Sequence, residues 1–417
     1  MFNSSTTIMN LIPSQLKNEY KKSLQVYPYR CQPILNLDEF KLSTPYFVCR
    51  LNTVQRKLKQ FCHHGQRKLL IGEILHLSSI LKSFDDCALV IYAGAAGGNH
   101  LPILGHLFPN VKFICIDPNE FNLQYDNGTQ YNHHDCVYMS VDPANKNMYK
   151  ADKKIINHYK GKIDSADLDK YIGYEDDFVE FIINTEYQFY IMEEYFDIET
   201  AKLMNQLMKA YQGVNIFWSD IRTNFVDDKY PTDTDILINS ACMIDWIKYM
   251  IEGIDNFNAV FKFRTTYGRD INWNIADKFV DEDYKKDFIE TGEIKFFRGT
   301  RYLQAWQGYT SSETRMWCTF DQLKMPLIRY PLAEHENKCF AYNRLFRHVH
   351  KCYNPYIGLV EGFDHCNDCA FEAQVWKAYS NLLNMNETSK KKKIKFFMIK
   401  ISRLIGTPLN KFPHGKF

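Results

Sequence analysis

The segment from Cys87 to Asp117, CALVIYAGAAGGNHLPILGHLFPNVKFICID, restricts the possible folds more than any other part of the chain. It holds two apolar runs, Cys87 to Tyr92 and Val111 to Asp117, and neither alternates apolar with polar residues. A strand with one wet face alternates, whereas an unbroken apolar run of this length suits a strand covered on both faces, as in a parallel sheet. Between the runs lie a turn carrying Gly94, Gly97 and Gly98 and a short apolar stretch fit for a helix. Parallel neighbours need a crossover, so strand, turn, helix and strand read as one βαβ unit.

The pattern recurs downstream. Gln188 to Met192, a helix-like stretch from Ile198 to Tyr211, and Val214 to Ser219 (VNIFWS) give strand, helix and strand. Ile236 to Ile251 has helical periodicity, and Ala259 to Phe263 reads as a further strand. Alternating elements of this kind predict an α/β fold: a doubly wound, mostly parallel sheet with helices on both faces. From Asn122 to Tyr187 the pattern breaks, and Asp142 to Tyr190 holds ten acids and seven lysines. With no Gly-Pro linker character, this region reads as an insertion at about 122–187 within the fold. Beyond Pro331, Ala333 to Lys351 and Asp364 to Leu383 read as two C-terminal helices. The organisation expected is an extension over 1–60, the α/β domain over 61–350, a helical segment over 351–389 and a basic tail over 390–417.

Composition narrows the class. The chain is 417 residues, 45% hydrophobic and 24% charged, which fits a folded protein and excludes a disordered or collagenous one. No apolar run approaches the roughly 20 residues of a membrane span, and the polar start MFNSSTTIMNLIPSQLKNEY lacks the apolar core of a signal peptide. The expectation is an intracellular protein with no membrane partner. Twelve scattered cysteines then read as thiols. In FDHCNDCAF, His365, Cys366 and Cys369 resemble half a zinc site, but the other half would need Cys352, His348 or His350 at an unusual spacing, so no metal is assigned.

Charge is unevenly spread. From Lys390 to Phe417 there are nine Lys or Arg and no acid, while the preceding 389 residues hold 42 basic against 49 acidic side chains. The lysines at 390–393 and 395 run into Phe396, Phe397, Ile399 and Ile401. Two readings stand side by side: a grip on a phosphate backbone or acidic partner, or a solvated, partly disordered tail.

Glycines in the first turn let backbone approach a ligand, and Asp117, ending the next strand, is placed to accept from ribose hydroxyls. Phosphate, nicotinamide and S-adenosylmethionine ligands all use such turns. The spacing here is not Gly-x-Gly-x-x-Gly and no Gly-Lys-Ser/Thr follows, which disfavours a nicotinamide oxidoreductase or a P-loop and shifts weight to a methyl donor. Four ionisable residues sit where sheet chemistry should sit. Lys68 opens the helix-like KLLIGEILHLSSIL, Asp220 ends VNIFWSD, Lys262 lies in AVFKF, and Glu313 precedes TRMWCTF. Asp220 emerges at the C-terminal strand edge, where open α/β sheets bind ligands.

The blocks GQRKLLIGE, VIYAGAAGGNH, ICID, FWSDIRT, FKFRTTY, SSETRM and ENKCFAYNRLFR, in this order between about Gly65 and Arg347, resemble the poxvirus-type cap-specific mRNA (nucleoside-2'-O-)-methyltransferase family. Its members double as the small regulatory subunit of the viral poly(A) polymerase, and more broadly the chain is similar to FtsJ-like RNA ribose methyltransferases. The resemblance implies a Rossmann-like S-adenosylmethionine-dependent fold and a catalytic Lys-Asp-Lys-Glu tetrad at Lys68, Asp220, Lys262 and Glu313. It implies S-adenosylmethionine over Tyr92, Gly94, Ala95, Gly97, Gly98 and His100, with Asp117 on its ribose, Asn119 close by, and adenine against Tyr195 to Asp197, Phe196 included. Asn119 stands where the family has a basic residue. For a 7-methylguanine cap it implies Tyr267 as one aromatic plate, Tyr46 or Phe47 as the other, and Glu336 as an edge acceptor. Arg269 and Asp270 follow Gly268 where the family has a second acid.

A ribose hydroxyl is a poor nucleophile at neutral pH, so such an enzyme must align it and take its proton. A lysine serves as base only if burial or a second cation lowers its pKa. The roles implied are Lys262 as base, Lys68 and Asp220 as positioning groups, and Glu313 as support for Lys262. The expected activity is 2'-O-methylation of the first transcribed nucleotide of capped mRNA. Methylation of uncapped RNA, or a non-catalytic processivity subunit that keeps the fold, are the alternatives. The resemblance also implies a poly(A) polymerase catalytic partner and a virus transcribing in the host cytoplasm.

Overall fold

A computed structural model describes residues 36–39, 65–121, 123, 136–142, 145–152, 169–173, 175–225, 231–266, 268, 270–308, 311–343 and 367–404. Its packing divides the chain into two units. The first joins Met1–Phe84, Arg301–Thr314 and Ala333–Phe417, and the second joins Asp85–Thr300 and Arg315–Leu332. Arg301–Thr314 thus groups with the terminal stretches.

In the second unit the unbroken apolar runs form β1 (Ala88–Ala93) and β2 (Val111–Ile116), with β6 (Phe189–Met192), β7 (Val214–Ser219) and β8 (Phe257–Phe263) as read from the sequence to within two residues. The insertion supplies β3 (Cys136–Asp142), β4 (Asn145–Asp152) and β5 (Asp169–Gly173), and β11 (Thr314–Thr319) follows Glu313. Nine neighbouring strands of one ten-stranded sheet run in the order β11-β8-β7-β1-β2-β6-β3-β4-β5. From β8 through β3 every neighbouring pair is parallel, whereas β4 and β5 are antiparallel additions. The insertion therefore extends the sheet, with β3 lying beside β6 rather than beside the earlier β2. This is the doubly wound, Rossmann-like sheet that the alternation of elements implied.

Helices α2 (Leu101–Leu107), α3 (Glu175–Asn184), α4 (Ile198–Ala210) and α5 (Asp233–Met250) fill the crossovers. Leu89, Ile91 and Ala93 of β1 share a core with Leu203, Met204 and Leu207 of α4 and with Ile244 and Ile247 of α5. Asp197 caps α4 by accepting from the Thr200 amide at 2.8 Å. At α5, Thr232 and Asp235 form a reciprocal capping box, with the Thr232 amide 2.8 Å from Asp235 Oδ2. Helix α5 consequently starts at Asp233, three residues before the apolar periodicity begins. The β1, β2, β6 path and the β7, β8 path leave β1 in opposite directions, which puts the topological switch at the C-terminal ends of β1 and β7.

In the first unit α1 (Gly65–Ile80) is buried on nearly every side, polar Arg67, Lys68, Glu73 and His76 included. It packs against α10 (Asn367–Leu382), which also carries α11 (Glu387–Leu404). Arg67 donates from Nε and Nη2 to the Glu372 carboxylate at 2.7 and 2.6 Å, and the ring N–H groups of Trp306 and Trp376 reach the same carboxylate at 2.9 and 3.3 Å. Burial holds the His76 imidazole neutral by pushing its pKa from 6.5 down to about 3. The unfolded chain therefore binds the extra proton first. Stability from this group is complete above the unfolded value of 6.5 and is lost as pH falls towards 3. Going from pH 7 to pH 5 is expected to cost about 2 kcal/mol through His76 alone. Denaturant midpoints at the two pH values measure this, and His76→Leu should flatten the difference. An equal loss in both proteins would remove His76 from the account.

Candidate functional site

Strand β7 is buried from Asn215 to Ser219, so Asp220 is the first side chain released at the sheet's C-terminal edge. Backbone bonds continue past the strand ends, since the Asp220 amide donates to Ala93 O at 2.9 Å and the Gly94 amide to Ile116 O at 2.8 Å. The exits of β2, β1 and β7 are thereby fixed side by side. Lys262 occupies the next-to-last position of β8, where the alternation of FNAVFKF leaves Asn258 and Lys262 on the less buried face and sends Phe261 and Phe263 into the core.

Two cations converge on Asp220. Lys262 Nζ lies 3.0 Å from Asp220 Oδ1 and donates to the Asp220 carbonyl at 3.2 Å. Arg315 Nη2 lies 2.6 Å from the same carboxylate oxygen, and Arg315 Nη1 donates to Ser219 O at 3.4 Å. The Arg315 to Asp220 contact is a charge contact rather than an aligned hydrogen bond. Exposure of the three side chains is only 13%, 16% and 6% for Lys262, Asp220 and Arg315, so solvent screens the cluster weakly. Sequence reasoning gave Arg315 no role. Its signal was present in SSETRM, where strand alternation sets Glu313 and Arg315 two positions apart.

The remaining tetrad pair lies in the first unit. Lys68 Nζ donates to Glu313 Oε1 at 2.7 Å, with both side chains below 10% exposure. Gln307 Nε2 holds the Glu313 carbonyl at 3.2 Å. The four residues thus form two acid–amine pairs. The roles implied by the resemblance put Glu313 behind Lys262; the pairing observed is Glu313 with Lys68 and Asp220 with Lys262.

The glycine turn gives a mixed answer. Gly94 has φ +80°, and a Cβ there would meet Ile221 N at 2.7 Å and Asp220 C at 2.8 Å. Gly98 has φ +65° and is closed in by Leu101 and Leu123. Both glycines are thus required by the chain's own packing, and neither by itself speaks for a ligand. Gly97 differs, because its Cβ position meets only the Asn99 side chain, at 3.3 Å. Asp117 is 8% exposed and bonds inward, accepting from the Ala96 amide at 3.2 Å and from Asn119 N and Nδ2 at 2.9 and 2.8 Å. Oδ1 takes both Asn119 bonds and Oδ2 only the Ala96 bond, so Asp117 fixes the turn and keeps one lone pair, on Oδ2, to accept a hydroxyl.

Other expected contacts fall in varied settings. Tyr92 is buried edge-on to Trp218, His100 is 1% exposed at the start of α2, and Ala95 is buried. Asn119 is exposed, as is Tyr195. Phe196 packs on Phe217 and Trp246, and with Asp197 it lines a pocket of about 500 Å³, a size suited to a small ligand. Cys242, on the same pocket, has its pKa raised by burial to about 12 and is no thiolate nucleophile. Glu336 is buried in α9 (Leu332–Ala341). Tyr46, Phe47, Tyr267 and Cys366 lie outside the described residues. Among the described residues no acid, His and Cys grouping could hold a metal ion, and no helix is long and apolar enough to cross a membrane.

A family model described as the poly A polymerase regulatory subunit matches residues 31–159. The match takes in α1 with Lys68, the glycine turn and Asp117, and it ends before Asp220, Lys262 and Glu313. No curated protein sequence matches the chain.

Proposed function

We propose that this chain transfers a methyl group from S-adenosylmethionine to the ribose 2'-hydroxyl of the first transcribed nucleotide of capped RNA. The observation that carries the reading is the clamped Asp220. It stands at the topological switch against the first glycine turn, between an amine that can lose a proton and a guanidinium that cannot. When bound, S-adenosylmethionine supplies a methyl carbon already activated by its sulfonium. Ala96, Gly97 and Asp117 offer the approach for its amino-acid and ribose portions, and the stretch Tyr195–Asp197 the surface for its base. Lys262 accepts the hydroxyl proton as the ribose oxygen takes the methyl. Asp220 orients the ammonium, which opposes deprotonation. Arg315 offsets that: it keeps Asp220 paired after Lys262 becomes neutral, so loss of the proton leaves no carboxylate stranded.

A second reading has its own support. The matched family is a regulatory subunit, so the proposal includes a poly(A) polymerase catalytic subunit as partner, with or without catalysis by this chain. A radiolabelled donor assay on short capped and uncapped RNAs separates the cases. Label on capped RNA alone supports the cap-specific reading, and label on both makes the chain a general 2'-O-methyltransferase. Label on neither leaves the regulatory subunit.

A further inference from the structure

The run of lysines near the C-terminus belongs to α11, which is helical over Glu387–Leu404. Its two faces differ in kind. Ile394, Met398 and Ile401 are buried at 0%, 0% and 2% exposure, and Phe397 stacks on Trp376 of α10 with centroids 4.8 Å apart and edges onto Tyr379 at 5.5 Å. The apolar face is therefore covered, and α11 cannot use it to enter a lipid surface. The other face presents Lys391, Lys392, Lys393 and Lys395, all exposed. Phe396 sits among them, 48% exposed, with Lys393 Nζ 5.8 Å and Lys400 Nζ 5.4 Å from its ring centroid. The lone acid of the helix, Glu387, is in the first turn and bonds Lys390 at 3.1 Å.

An exposed aromatic ring within a field of lysines needs a ligand that brings both negative charge and a flat apolar face. An acidic polypeptide satisfies the lysines and leaves the ring; duplex nucleic acid hides its bases. Single-stranded RNA meets both demands, with phosphates on the ammonium groups and an unpaired base on the ring. The rest of the chain carries an excess of acids, 49 against 42 basic residues before Lys390, so a polyanion is drawn to this helix over other surfaces. We infer that the outer face of α11 is a single-stranded RNA site built from Lys391, Lys392, Lys395 and a stacking Phe396. At 18 residues the helix is about 27 Å long, room for several nucleotides. The inference stands apart from methyl transfer, because it concerns binding of RNA that need carry no cap.

The test uses the full chain and a fluorescent uncapped single-stranded RNA of about 20 nucleotides, titrated across a range of salt, with heparin as a polyanion lacking bases. Lys391→Gln/Lys392→Gln/Lys395→Gln should lower the slope of log affinity against log salt by about 2, as three lost phosphate contacts require. Phe396→Ala should weaken RNA binding by about tenfold while heparin binding stays unchanged. An unshifted melting temperature confirms that both variants keep α11 docked. Wild-type affinity and slope in the triple variant would overturn the site. Equal losses for RNA and heparin in Phe396→Ala would overturn the single-stranded assignment, and so would binding of an acidic protein that outcompetes RNA on this face.

Discussion

Lys262→Ala is expected to lower kcat for methyl transfer to a short capped RNA by about 10²–10⁴-fold, the usual range for removing a general base, with KM changed little. The melting temperature should move little as well, because Arg315 still holds Asp220 at 2.6 Å. A charge role and a base role give different results with Lys262→Arg. Arginine keeps the positive charge beside Asp220 but does not give up its proton at neutral pH. If Lys262 is the base, the arginine variant is as inactive as the alanine one. Recovery of most of the activity in Lys262→Arg would make Lys262 a positioning charge and send the search for the proton acceptor elsewhere.

The second large effect is on stability. Glu372→Gln removes the charge that compensates Arg67 at a site where both side chains are at most 3% exposed. Breaking a buried ion pair from one side typically costs about 3–5 kcal/mol, since the remaining charge stays buried without its counterpart. For a unit of this size that is on the order of 10 °C in melting temperature. The indole N–H groups of Trp306 and Trp376 also lose part of their acceptor. Arg67→Met combined with Glu372→Leu exchanges the pair for apolar volume and should restore much of the loss. A single Glu372→Gln variant melting within about 1 °C of wild type would show that the buried cluster contributes nothing net.

Which parts of the fold were legible follows from where the signal lay. Strands β1 and β6 are unbroken apolar runs, and β2, β7 and β8 are apolar but for one or two polar positions, so hydrophobicity marks all five. Strands β4 and β5 read NKNMYKAD and DKYIG, polar sequences whose strand character comes from pairing, β4 with β3 and β5 with β4, and not from their own composition. The start of α5 was read late because its signal was the Thr-Asp-Thr-Asp cap, not periodicity. In α11 the spacing of Ile394, Phe397, Met398 and Ile401 is helical, but four consecutive lysines conceal it. At the site, Asp220 and Lys262 were visible from their strand positions, whereas which acid pairs with which amine is a tertiary fact. The glycines were a weaker sign than they looked. Gly94 answers to the backbone of Asp220 and Ile221, a contact between residues more than a hundred positions apart that no local spacing encodes.

The two faces of α11 answer oppositely to ionic strength. Concentrated salt shortens the reach of the lysines and strips a polyanion from them, while the ring stack of Phe397 on Trp376 is apolar and is not loosened by screening. A high-salt wash should therefore free the protein of co-purifying nucleic acid without unseating the helix, and returning to dilute buffer should restore binding at once, with no refolding step in between.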